Sequence, residues 1–144
     1  MTEPSEADAG SALARLVRTE GRAVLATLTR QLGDLGRAED AVQEAALQAL
    51  EAWTRQGVPP NPRAWLTRAA RHRAIDRIRR EQARSDKETE AVRMLEREPD
   101  APTDSAVHDD LLRLIFTCCH PALAPDTQVA LSLHTLCGLT TAEV

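Results

Sequence analysis

Apolar residues return every three or four positions through most of this 144-residue chain, and nowhere do they alternate in the two-residue rhythm of a strand. Leu13, Leu16, Val17, Val24, Leu25, Leu28 and Leu32 form one such stripe, opened by Ser11 as an N-cap and ended softly at Gly33. Asp34 is placed to cap a second helix whose Val42, Ala46, Ala49, Leu50 and Trp53 recur at helical spacing, and which stops before Gly57-Val58-Pro59-Pro60-Asn61-Pro62. A third helix starts at Pro62 or Arg63, because proline at the first helical position forfeits no intrahelical bond. Leu66, Ala70, Ala74 and Ile78 form its i,i+4 ladder toward the core. Residues 85–110 are rich in Glu, Asp, Pro and Ser with scattered apolar positions, which predicts a linker, partly helical around residues 88–96. Beyond it Val107, Leu111, Leu114, Ile115 and Cys118 share a face, Pro121 and Pro125 break the pattern, and another helix spans residues 126–137 before Gly138. The elements predict an all-α chain, with a three-helix domain over 1–84, an acidic linker over 85–107 and a second helical unit over 108–144.

The end of the chain adds a specific expectation. Thr140-Thr141-Ala142-Glu143 is a capping box, with Thr140 placed to bond the amide three residues on and Glu143 placed to reach back. A helix, a glycine-containing turn and a new helix start form the opening of a helix-turn-helix, so the spacing predicts that a recognition helix follows and that this sequence is cut within the unit.

Charge changes the picture more than composition does. The chain carries a net charge of −4, yet residues 63–84 hold eight arginines against two acids, Asp76 and Glu81. Such a strip suits a polyanion, because each arginine that neutralises a phosphate releases condensed counterions. Residues 1–84 hold 14 basic and 11 acidic side chains, whereas residues 85–144 hold 4 and 11, so the two parts differ in kind. On the second helix Glu39, Asp40, Gln43, Glu44 and Glu51 lie mainly opposite the apolar stripe and make an acidic face. The default reading of such a face is a solvated one, and the sharper reading is a docking face for a basic protein partner.

Several function classes have little support. No apolar run approaches the roughly 18 residues of a membrane span, and the acidic N-terminus lacks the pattern of a signal peptide, so a cytoplasmic protein without a membrane partner is expected. There is no glycine-rich phosphate loop and no nucleophile beside a base, so no enzymatic activity and no cofactor are expected. Cys118, Cys119 and Cys137 make no disulfide framework. Adjacent cysteines on a helix point about 100° apart and lack the Cys-x2-Cys spacing of zinc sites, so no metal is expected. His120, beside Pro121, reads as a turn residue, and His134 carries no partner signal.

The residues then converge on a family. Ala38-Glu39-Asp40-Ala41-Val42-Gln43-Glu44-Ala45, a proline-rich loop, Pro62-Arg63-Ala64-Trp65-Leu66 and Asp76-Arg77-Ile78-Arg79-Arg80 resemble region 2 of the extracytoplasmic-function (ECF) sigma factors of bacteria, over most of residues 11–84. Phe116-Thr117-Cys118-Cys119-His120-Pro121 and Leu136-Cys137-Gly138-Leu139-Thr140-Thr141-Ala142-Glu143 resemble the start of region 4, most closely that of a subgroup with a further C-terminal extension.

The resemblance implies a transcription initiation factor. Asp40, Gln43 and Glu44, with Leu47 and Glu51 on the same helix, would dock on the clamp coiled coil of the largest subunit of core RNA polymerase. The loop of residues 57–63, with Asn61 and Arg63, would hold a flipped base of the minus-ten promoter element on the non-template strand. Trp65, Arg68, Arg71 and His72 would contact that strand, and Arg73, Arg77, Arg79 and Arg80 would bind phosphates. Housekeeping sigma factors carry paired aromatics where this chain has Ala64-Trp65. Trp65 is then either a lone stacking wedge or part of the core, and weak melting with a demand for a near-ideal promoter is expected. An anti-sigma protein, or a C-terminal extension of the chain itself, is a further partner class that the resemblance leaves open. Two other readings of the residues stand beside it: a helix-turn-helix regulator acting without polymerase, and a helical adaptor that binds only protein. A repressor should prefer duplex DNA, a sigma factor single-stranded minus-ten DNA, and an adaptor neither.

Overall fold

A computed structural model of the chain describes residues 5–82 and 90–144. Among the described residues every regular element is helical: α1 (Glu6–Leu32), α2 (Leu35–Gln56), α3 (Pro62–Gln82), α4 (Glu90–Arg97), α5 (Asp104–Cys118) and α6 (Pro125–Thr135).

The helix ends follow from local chemistry. Ser5, not Ser11, caps α1, its hydroxyl accepting from the Asp8 amide at 3.2 Å. Glu6 and Asp8 in the first turn complement the positive end of the helix, and Ala9 is already buried there, so the helix extends one and a half turns earlier than the sequence pattern suggests. Gly33 closes α1 at φ 67°, a left-handed conformation that glycine adopts without strain, and its amide donates to the Thr29 carbonyl at 2.8 Å. Asp34 then caps α2 as expected, accepting from the Arg37 amide. Asn61 caps α3, its side-chain oxygen accepting from the Ala64 amide at 3.1 Å with Pro62 at the first helical position.

The first three helices pack around Trp53, Leu28, Leu66 and Val24. On α2 the deepest face is Ala38, Ala41, Ala45, Ala49 and Trp53, while Val42 and Leu50 are only half-buried. Alanines occupy the line of closest approach because a side chain of one carbon lets helix axes come together, and the larger residues fill the flanks. On α3 the expected ladder holds, with Leu66, Ala70 and Ala74 buried and Ile78 half-buried. Val17, expected in the α1 stripe, is instead 48% exposed.

The acidic stretch after α3 is more than a tether. α4 turns Val92 and Leu95 onto Ile75, with Ile78 and Leu32 alongside, and so forms a small second core. α5 then packs across α1, where Ala26, Thr27 and Thr29 are buried. The buried face of α5 is Val107, Asp110, Leu114 and Cys118, so Ile115 is 43% exposed instead of sharing the core. Asp110 displaces it because Arg30 of α1 meets this carboxylate, Nε to Oδ1, at 2.7 Å. The same guanidinium donates to both oxygens of Glu98, at 3.2 and 3.3 Å.

This clasp has a definite pH signature. Burial pushes the Asp110 carboxyl up from its ordinary value, and Arg30 offsets part of that push. A carboxyl raised in the folded state contributes stability that is present below its unfolded value and is lost as pH rises through its folded value. As pH rises above the ordinary carboxylate value the wild-type chain is therefore expected to lose stability relative to Asp110→Asn, and parallel urea melts of the two proteins should show their difference narrowing or reversing with rising pH.

Past α5, His120 behaves as a turn residue, its Nδ1 accepting from the Ala122 amide at 3.1 Å. α6 ends at Thr135, two residues before the expected Cys137, and Gly138 follows at φ 73°. Half of the expected capping box forms: the Glu143 carboxylate accepts from the Thr140 amide at 2.7 Å and the Thr140 hydroxyl at 2.8 Å. Those two bonds hold the Glu143 carboxyl below its ordinary value. The Glu143 amide meets the Thr140 carbonyl rather than its hydroxyl, and residues 140–144 make a turn.

Candidate polymerase-docking and nucleic-acid interfaces

α2 and α3 run antiparallel, and a line of polar pairs joins them. Arg37 meets Glu81 at 3.0 Å, Asp40 and Glu44 share Arg77, and Gln48 accepts from Arg73 at 3.1 Å. Positions 37, 40, 44 and 48 ascend α2 by single turns while 81, 77 and 73 descend α3, so the pairs form a seam in register.

The seam divides the basic helix. Arg73 and Arg77 turn toward α2, with Arg77 Nη1 3.1 Å from Asp40 Oδ2 and Nη2 bonded to Glu44 Oε1. Arg71 turns the other way and is 4% exposed; its guanidinium donates to the Pro99 carbonyl at 3.4 Å and to Asp100. Arg68 approaches the other oxygen of Asp100 at 3.9 Å. Arg79 pairs with Glu96 of α4, and Arg80 donates to the Asp76 carbonyl at 3.3 Å. Arg63 meets Glu20 of α1 at 3.2 Å. The strip itself contains only the acids Asp76 and Glu81; those that meet its arginines, Glu20, Asp40, Glu44, Glu96 and Asp100, each come from another element. The acids were visible in the sequence, but their distance was not.

The remaining α3 face carries Trp65, Arg68 and His72 on successive turns. With Gln48 and Ala69 they line a shallow cavity of about 210 Å3. Trp65 is half-buried, and its ring meets that of the buried Trp53 edge to face, with centroids 5.4 Å apart at 67°. It is thus both a core residue on one edge and a cavity wall on the other. Asn61 stands exposed at the entrance to α3 with its oxygen committed to the cap.

On α2 the residues assigned by resemblance to polymerase docking form one exposed patch. Asp40, Gln43 and Glu51 are exposed, Glu44 is half-buried, and Leu47 at the centre is 69% exposed. An exposed leucine ringed by carboxylates costs hydration free energy unless a partner covers it. Glu39, at the edge of the patch, lies 4.0 Å from His134 Nε2, whose other ring nitrogen donates to the Leu139 carbonyl at 2.8 Å.

The cysteines stand apart from these faces. Cys118 is buried, and burial pushes its thiol up from the ordinary value, as expected of a small core residue. Cys119 and Cys137 are exposed. No helix among the described residues is long and apolar enough to cross a membrane.

Comparison with known proteins places the chain. The family model for sigma-70 region 2 matches residues 16–84, from the third turn of α1 through α3. An uncharacterized protein of Rhizobium meliloti (strain 1021) is 35% identical over 132 residues, covering 83% of this chain and 30% of that protein. The ECF RNA polymerase sigma factor SigK of Mycobacterium ulcerans (strain Agy99) is 32% identical over 123 residues, covering 84% of this chain and 65% of that protein. The protein of the same name from Mycobacterium sp. (strain KMS) is 30% identical over 149 residues, covering 100% and 75%. The chain thus spans less than a third of the first relative's length and about two thirds to three quarters of the others'. No solved structure matches it. These similarities show that the chain belongs to the ECF family of RNA polymerase sigma factors.

Proposed function

We propose that this protein is a transcription initiation factor that binds core RNA polymerase through α2 and directs it to promoters by recognising the minus-ten element through α3. It works by binding and not as an enzyme. The observation that carries this reading is the separation of two chemically opposite faces on adjacent, seam-locked helices: acidic with a central leucine on α2, cationic and aromatic on α3.

On the docking side, Asp40, Gln43, Glu44 and Glu51 offer acceptors and Leu47 an apolar anchor to a basic helical surface such as the clamp coiled coil. An apolar centre within a polar ring is the usual anatomy of a protein interface. On the DNA side, Trp65 offers a ring face for stacking while Arg68 and His72 supply donors. Such a combination binds unpaired bases better than duplex. Asn61 and Arg63 at the end of the loop of residues 57–63 stand where a flipped base would enter. Arg80 lies further along the same helix, with Arg79, toward the path of the phosphates. Arg71 and Arg73 reach DNA only by exchanging Asp100 and Gln48 for it, which makes them secondary contacts. The work of such a factor lies in the cytoplasm, where polymerase and promoter are.

The experiment is a pull-down of core RNA polymerase with the wild-type chain and with Asp40→Ala/Gln43→Ala/Glu44→Ala. Retention by the first and loss by the second is expected. Equal capture, or no capture of polymerase by the folded wild-type chain, would remove the docking assignment and favour a regulator acting on duplex DNA alone.

A further inference from the structure

Arg77 belongs by its position to the basic strip, but its geometry belongs to the acidic face. It rises from α3 into the crevice lined by Ala41, Glu44, Arg73 and Ala74, so its stem is packed and its guanidinium is delivered to α2 at a fixed height. There Nη1 lies 3.1 Å from Asp40 Oδ2, and Nη2 bonds Glu44 Oε1. Asp40 and Glu44 are one helical turn apart on the same face, a spacing at which two carboxylates repel and destabilise their helix. One planar guanidinium with donors on separate nitrogens cancels that repulsion and fixes both side chains at once.

Each carboxylate keeps a second oxygen. Arg77 takes Oδ2 of Asp40 and Oε1 of Glu44, leaving Oδ1 and Oε2 for another donor, and the Asp40 side chain remains 60% exposed. The guanidinium therefore holds the two groups without covering them. Holding these side chains in one rotamer before a partner arrives removes an ordering cost from association.

We propose that Arg77 is a positioning residue for polymerase docking, a clamp from the DNA-facing helix that presents Asp40 and Glu44 to the polymerase, and not itself a phosphate ligand. The inference rests on the docking reading above. It also makes the seam a mechanical link, because a helix that reads DNA sets the rotamers with which its neighbour meets the enzyme.

The test separates the two roles of an arginine at this place. Affinity of the 144-residue chain for core RNA polymerase is measured for wild type, Arg77→Ala, Arg77→Lys and Arg77→Met, and for Arg77→Ala combined with Asp40→Ala/Glu44→Ala. The salt dependence of binding to a single-stranded oligonucleotide is measured on the same proteins. Arg77→Met retains the packed stem and so keeps the helices together while removing the charge. Arg77→Ala and Arg77→Met are expected to weaken polymerase binding roughly fivefold, with Arg77→Lys recovering part of the loss. Adding Arg77→Ala to the Asp40→Ala/Glu44→Ala background should cost nothing more, because there is no carboxylate left to hold. The oligonucleotide salt slope should stay that of wild type, whereas loss of a phosphate contact would lower it by about 0.7. Unchanged polymerase affinity, a slope reduced by that amount, or parallel losses in both assays with a lowered melting temperature would each overturn the inference. Wild-type polymerase affinity in the Asp40→Ala/Glu44→Ala protein would show instead that the docking reading has failed, and the inference with it.

Discussion

Trp53→Ala should cost about 3–5 kcal/mol of folding stability, enough to leave a small domain close to unfolded at ordinary temperature. The size of the effect comes from what surrounds the ring. Trp53 is 1% exposed at the end of a buried α2 face otherwise made of alanines, and α3 presents Ala69, Ala70 and Ala74 to the same core. Alanine side chains have no rotamer through which to move into a void, so the cavity left by an indole persists and its cost is felt in full. The edge-to-face contact with Trp65 is lost as well, a further share of about 0.5–1.5 kcal/mol. Trp53→Phe is the informative control. The indole Nε1 of Trp53 is buried without a hydrogen-bond partner, so phenylalanine removes an unsatisfied donor while keeping most of the volume. Urea melts followed by helical circular dichroism should rank wild type and Trp53→Phe near each other and Trp53→Ala far below. A loss under about 1 kcal/mol for Trp53→Ala would mean that the alanine-lined core relaxes around the gap.

Asp100→Ala is expected to cost about 1–3 kcal/mol, a large effect for a half-exposed residue in a loop. The cause is Arg71, whose guanidinium is buried and, among the described residues, retains only the Pro99 carbonyl at 3.4 Å once the carboxylate is gone. A buried cation without its counter-charge is costly. The exposure of Asp100 to solvent keeps the figure below that of a fully enclosed pair, since water can replace part of the lost contact. Replacing both members, as Asp100→Ala/Arg71→Met, should return most of the stability, because a methionine needs no partner. Thermal melts of the single and double variants decide this, and additive losses would show that the pair is not the source. The same carboxylate also approaches Arg68, so on the DNA-binding reading proposed above a phosphate that reached both arginines would compete with Asp100. Asp100→Asn should therefore tighten binding to a single-stranded oligonucleotide at low salt, and weaker binding by that variant would show that the loop supports the DNA face instead of competing for it.

Much of the architecture is legible in the chain because it depends on local rules. The three long helices follow from a 3.6-residue period, from Asp34 and Pro62 at their starts and from Gly33 and Gly57 at their ends, all of which act within a turn of themselves. The motifs that resemble ECF sigma factors are equally local, strings of residues that could be read without knowing what packs on what. The opposite charges of the α2 and α3 faces are likewise visible from spacing alone.

What only the tertiary structure decided concerns distance. Ser5 replaced Ser11 as a cap because Ala9 finds a core to enter, and Val17, although in the stripe, stays half-exposed outside the core. Asp110 took a place among apolar neighbours because Arg30 on another helix awaited it. Most consequentially, the arginines of α3 look equivalent along the sequence, yet Arg77 and Arg73 face α2, Arg71 is enclosed by the 99–100 loop, and Arg68 shares the exposed cavity with Trp65 and His72. A helix places side chains about 100° apart, so neighbouring residues of one kind necessarily meet different surroundings. Composition determined that the helix would be cationic; the packing of α2 on one side and of α4 and its following loop on the other determined which of its cations are left exposed to solvent.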